Sequence, residues 1–265
     1  MNTTTQKNLE EIEEEILDFK KLPIYEDAKR LMDHYSQSKD YPEDKLARAG
    51  IYQYPNVEFV KELAKLLNYL DGLCSSPVPI VEVCAGNGKL SYHLNKRLPK
   101  GKSIIATDRE NKPHYYPPFK EFPSFREFYP PFRRHTKFVK DLDYREAIET
   151  YRPNIVLASW IPPNSDIGIK ILYSPGVRFF VNIGVPDGLC GSAEIYRVGK
   201  SKVIDSVTRF STSKPLRLDP EIYPCQVEVF QKTRAGLEYL LDKKIKPVDT
   251  FEYNFLKKML KKKNQ

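Results

Sequence analysis

Glu82, Gly86, Gly88, Asp108 and Asp141 follow one another at spacings that suit a ligand-holding site. Ile80–Val83 reads as a short buried strand, and Cys84-Ala85-Gly86-Asn87-Gly88 follows as a glycine-containing turn. Glycines let the backbone approach a ligand that any side chain would fend off. An amphipathic run over residues 89–98 then opens as a helix, whose first N–H groups favour an anionic group. Residues 103–107 form a second apolar strand that ends on Asp108. Strand, glycine turn, helix, strand and acid together are the sequence form of a nucleotide-binding half of a doubly wound sheet.

The remaining elements must hold that unit in place. Leu9, Ile12, Ile16 and Phe19 make a narrow apolar stripe on a charged N-terminal helix that Pro23 should end. Residues 28–35 suggest a second short helix, and residues 56–70 a third with Asn56 as its cap. After Asp108, residues 136–140 are a third strand ending at Asp141, residues 144–151 a helix, and residues 154–159 a fourth strand. Trp160-Ile161-Pro162-Pro163 follows Ser159. A helix over 166–173, a strand over 177–185 and a Gly-rich loop over 186–192 come next. A turn of helix near 194–197, strands at 203–211 and 226–232, and a helix at 234–243 complete the chain. The expected fold is α/β: a doubly wound, mostly parallel seven-stranded sheet with helices on both faces and an antiparallel C-terminal edge strand. The expected organisation is a helical extension (1–55), a Rossmann-like domain (56–242) and a basic tail (243–265).

One segment stands apart. Within an insert spanning 111–135, residues 113–132 hold six prolines and residues 115–132 hold eight aromatic rings. The prolines forbid a long helix. The rings either pack on themselves as a flap beside the ligand site or offer stacking surfaces to single-stranded nucleic acid.

The 265 residues carry a net charge of +8, unevenly placed. Residues 1–20 have net −4, residues 109–140 net +5 and residues 243–265 net +6. Contact with a polyanion through 109–140 and the Lys-rich tail is therefore an expectation, a solvated face being the plainer alternative. The four cysteines lie far apart with no C-x-x-C pair, which disfavours disulfides and zinc. The sequence shows neither a long apolar run nor an apolar signal core, so no membrane association and a cytoplasmic location, or a nuclear one in a eukaryote, are expected.

The order of motifs over about residues 78–232 resembles the class I S-adenosylmethionine-dependent methyltransferases. The resemblance implies S-adenosyl-L-methionine as cofactor and no metal. It implies that Glu82 receives the methionine ammonium, and that Ala85, Gly86, Asn87 and Gly88 form the turn beside the methionine carboxylate. It gives Asp108 the ribose hydroxyls, Asp141 the adenine amino group, and Ser159 a place at the end of the fourth strand. Trp160, Pro162 and Pro163 occupy the position that delivers substrate-holding groups, although Ile161 before the prolines departs from the amine-methylating pattern. The implied function is methyl transfer to RNA, protein or a small molecule, with a lean towards RNA; no catalytic residue is singled out. Two other readings share these residues: a catalytically silent adaptor or nucleic-acid-binding module, and an NAD-dependent oxidoreductase. Ser91, where a dinucleotide fingerprint wants a third glycine, speaks against the last.

Overall fold

A computed structural model describes residues 7–37, 51, 53–109, 137–162, 165–186, 190–212 and 225–242. The aromatic insert, the Lys-rich tail, Pro163 and most of the 186–192 loop lie outside the described residues.

Seven strands form one sheet: β1 (Ile80–Val83), β2 (Ile104–Thr107), β3 (Val139–Lys140), β4 (Ile155–Ser159), β5 (Phe179–Gly184), β6 (Gly199–Val203) and β7 (Gln226–Lys232). Their order is β3-β2-β1-β4-β5-β7-β6. Every pairing from β3 across to β5 is parallel, whereas β7 runs antiparallel to both β5 and β6. The antiparallel element at the C-terminal end is thus β7, one place in from the margin that β6 forms. β1 and β5 are buried along their whole length, as strands covered on both faces must be.

Helices α1 (Leu9–Leu17), α2 (Tyr25–Gln37), α3 (Val57–Gly72), α4 (Lys89–Asn95), α5 (Tyr144–Tyr151), α6 (Ile167–Leu172), α7 (Ile195–Val198), α8 (Asp205–Thr208) and α9 (Arg234–Asp242) complete the described elements. On one face of the sheet, Phe59, Leu63 and Leu67 of α3 and Leu90 and Leu94 of α4 pack on Ile80, Leu157 and Val181. On the other, Ile148 of α5, Ile169 of α6 and Val198 of α7 pack on Val81, Val156 and Phe180. Alternate residues of β1, β4 and β5 feed opposite cores, as the pleat dictates. Asn56 caps α3 by accepting from the Phe59 amide at 2.8 Å, as its position before an apolar run predicts.

The strand expected at 203–211 is not there. β6 occupies 199–203, and Asp205–Thr208 is a turn of helix that sends Val207 into the core. Lys200 and Lys202 point outward from this marginal strand, so its sequence looks polar although its backbone is paired to β7. Lysines on an edge strand block pairing with another chain.

α1 begins with a reciprocal cap in which the Asn8 side chain accepts from Glu11 N and the Glu11 carboxylate accepts from Asn8 N. Ile12 and Ile16 pack with Leu31, Ile51 and Tyr54 as a third, smaller core. α1 stops at Leu17, ahead of Pro23, so Phe19 lies beyond the helix and stacks on Phe138 at 5.0 Å.

Candidate functional site

The glycine turn is shaped by conformations that few residues tolerate. Cys84, Gly86 and Gly88 have φ of 55°, 57° and 80°. A Cβ on Gly88 would stand 2.5 Å from Val139 Cγ2, so conformation and the close approach of β3 both demand glycine there. The turn's amides are largely engaged by the turn itself and by the end of β2. Ala85 N donates to Thr107 O at 3.1 Å and Gly88 N to Ala85 O at 2.9 Å. Gly86 N donates to Asp108 Oδ2 at 2.8 Å and Lys89 N to Asn87 Oδ1 at 3.0 Å. A carboxylate arriving at this turn would therefore compete with the Asp108 and Asn87 side chains for Gly86 N and Lys89 N.

The turn opens onto a small cleft lined by Ile51, Gln53, Pro55, Glu82, Cys84, Ala85, Gly86, Asn87, Lys89, Leu90 and Ser159. It lies where β1 and β4 run side by side and the chain's crossovers leave in opposite directions. That is the topological switch point, at the carboxyl ends of the strands, where open α/β sheets bind ligands. Glu82 is buried and accepts from Ser91 Oγ. Burial pushes its carboxyl up to about 7, with Ser91 opposing and Asp108 adding to the rise. Ser159 Oγ is buried without a hydrogen-bond partner. A buried acid and an unsatisfied hydroxyl in one cleft give a polar ligand group two places to bind.

Sequence reasoning foresaw the turn but not the opposite wall. Gln53 Nε2 donates to Thr212 O at 2.7 Å, Tyr54 N to the same oxygen at 2.8 Å, and Asn56 Nδ2 to Phe210 O at 2.9 Å. Residues 53–56 are thereby stitched to a segment more than 150 positions away, which no local spacing announces. Lys89 was also missed. It is 1% exposed, and its Nζ donates to the carbonyl oxygens of Glu15 (2.9 Å), Ile16 (2.5 Å) and Asp18 (2.7 Å). Burial pulls its ammonium down to about 7 against the attraction of Asp18 and Glu15.

The other expected residues surround this cleft at varying remove. Asp108, half-buried, adjoins it through the Gly86 amide. Asp141 is exposed just beyond β3 and is not among the cleft's walls. Trp160 leaves β4 with φ of 59°, a strained backbone for so bulky a residue. Its N donates to Ile183 O at 2.9 Å, its ring packs on Val185 and Cys190, and its buried Nε1 has no partner. Pro162, half-buried, and Ile161 accept from Gly191 N at 3.3 and 3.2 Å. The cysteines are free, and burial pushes the Cys84 and Cys190 thiols up, which makes both poor nucleophiles. Among the described residues no cluster of His, Cys, Asp and Glu is built to hold a metal ion, and no helix is long and apolar enough to cross a membrane.

No protein-family model matches the chain, and no curated protein matches it significantly. Solved structures do. A protein of Thermoplasma acidophilum is 14% identical over 73% of this chain and 96% of its own, with a TM-score of 0.32. Magnesium protoporphyrin IX methyltransferase from Synechocystis PCC 6803, solved with S-adenosylmethionine bound, is 12% identical over 77% of this chain and 97% of its own, with a TM-score of 0.35. The sheet itself, parallel from β3 to β5 with β1 at its centre and helices on both faces, gives the chain a Rossmann-like α/β fold.

Proposed function

We propose that the chain is an S-adenosylmethionine-dependent methyltransferase whose donor site is the cleft between β1 and β4. The observation that carries this reading is the pairing in one cleft of buried Glu82, its carboxyl raised to about 7, with the unpartnered Ser159 hydroxyl. The residues fit the donor's amino-acid end. Glu82 would accept from the ammonium, Ser159 would take up a remaining polar group, and Gly86 and Gly88 leave room at the turn. Asp108, at the end of β2, would meet the ribose hydroxyls, and Asp141, at the end of β3, the adenine amino group.

When bound, the donor would supply a methyl group on a sulfonium: the acceptor's lone pair would bond to the methyl carbon and the S–C electron pair would leave with the neutral thioether. The chain's task is alignment and exclusion of water. Trp160 and Pro162 stand at the end of β4, where the acceptor would enter, and the Trp160 Nε1 donor is the group there that needs a partner. RNA is the favoured acceptor class, supported by the excess positive charge in residues 109–140 and 243–265. A cytoplasmic location accords with such a substrate.

Calorimetric titration with S-adenosylmethionine and its demethylated product tests the donor site. Binding should fall at least about tenfold in Asp108→Ala, the loss expected for one charge-assisted hydrogen-bond pair. Silence of the wild-type chain towards both ligands at millimolar concentration overturns the reading. Incubating extract fractions with radiolabelled donor tests the acceptor, and label that survives nuclease treatment removes RNA.

A further inference from the structure

We infer that Lys89 is a positioning residue that fastens helix α1 to the turn-side wall of the cleft, so that α1 ties the two walls of the donor site together. The inference rests on the cleft being that site.

Lys89 is the first residue of α4, directly after Gly88, and belongs to the turn-side wall. Its three N–H donors meet three carbonyls at the C-terminal end of α1: Glu15, Ile16 and Asp18. Glu15 and Ile16 lie in the last turn of α1, whose carbonyls lack intrahelical partners and carry the negative end of the helix dipole; the buried ammonium serves both and shares Asp18 O with the Lys21 amide. The contact spans 71 to 74 positions of sequence and owes nothing to local geometry. The same face of α4 continues the attachment: His93 Nε2 lies 3.1 Å from Phe19 O, and the Tyr92 ring sits 4.8 Å from that of Phe19.

The other side of α1 reaches the opposite wall. Ile12 and Ile16, both fully buried, share a core with Ile51 and Tyr54. Ile51 lines the cleft, and Tyr54 stands between its wall residues Gln53 and Pro55. α1 therefore runs from the glycine turn, held by an ammonium, to the 51–55 wall, held by apolar packing. A bond confined to surface trim would leave the cleft indifferent to its loss. This one joins both of its sides.

Lys89→Met keeps most of the side chain's volume and removes the charge. Hydrogen exchange of the α1 amides reads the fastening without any ligand, and the β4 amides report whether the domain stays folded. Calorimetry with S-adenosylmethionine reads the coupling. The expected result is α1 exchange faster by at least about tenfold, β4 protection unchanged, and a donor Kd raised by a similar factor, as the loss of one charged hydrogen-bonded group predicts. Unchanged α1 exchange overturns the fastening, and released α1 with unchanged donor affinity overturns the coupling. If Lys89→Met unfolds the domain, Ile12→Ala loosens α1 from Ile51 without stranding a charge, and the same two readouts decide. A wild-type chain that binds no donor refutes the donor site itself, while α1 exchange still judges the fastening on its own.

Discussion

Glu82 is the residue whose chemistry is most shaped by its surroundings. Its carboxyl titrates near 4.5 when unfolded and near 7 in the fold, because burial penalises the charged form. The folded chain therefore binds a proton more tightly than the unfolded chain. That contribution to stability is complete below pH 4.5 and is lost as pH rises through 7; the shift corresponds to on the order of 3 kcal/mol. Glu82→Gln keeps an acceptor for Ser91 Oγ and removes the titration. Urea unfolding at pH 5 and pH 8 should show a smaller decline for the variant than for the wild type, and equal declines would contradict the assignment. The same linkage governs the ligand. A cationic ammonium prefers the ionised carboxylate, so donor affinity should rise as pH passes through 7, with proton release visible as buffer-dependent heat near pH 6. Glu82→Gln should flatten that dependence.

At the scale of elements, close backbone approaches make the sharpest forecasts. Gly88→Ala would place a Cβ 2.5 Å from Val139 Cγ2 at a φ of 80°. Strain and overpacking together should cost about 2–4 kcal/mol, seen as a lower denaturation midpoint, and should impair the donor cleft as β3 moves away. Gly236→Ala tests a different joint. Its Cβ would fall 1.8 Å from Val198 O and 2.1 Å from Tyr173 Oη, where α9 seats against α7, so α9 should detach. A loss of about 1–3 kcal/mol without loss of donor affinity is expected, since no residue of α9 lines the cleft. How much of this was legible follows from the range of the forces involved. The β1–turn–α4–β2 unit and the α3 cap were readable because spacing and local hydrogen bonds specify them. β6 was misplaced because Lys200 and Lys202 hide a strand whose stability comes from pairing with β7. The Gln53 wall and the Lys89 attachment were invisible because each depends on partners scores of positions away.

At the scale of the whole molecule, the sheet is closed on both faces by separate apolar cores, and α1 with α2 adds a third beside the cleft. A ligand in that cleft touches β1, β4, α4 and the 51–55 wall together, so its binding energy should appear as global stability rather than as local stiffening. Anything that binds only the folded chain stabilises it by RT ln(1 + [L]/Kd), about 2.7 kcal/mol at a hundredfold excess over Kd. For a domain of this size each kcal/mol moves the midpoint by about 2–4 °C, which places the expected rise in Tm at about 5–10 °C. S-adenosylmethionine and its demethylated product should both produce it, since Glu82 and Ser159 would meet the amino-acid end that the two share. A nicotinamide dinucleotide should produce none, because it brings no ammonium to Glu82 and meets Ser91 in place of a third glycine. A melt that shifted with the dinucleotide and stayed still with the methyl donor would move the chain from methyl transfer to hydride transfer.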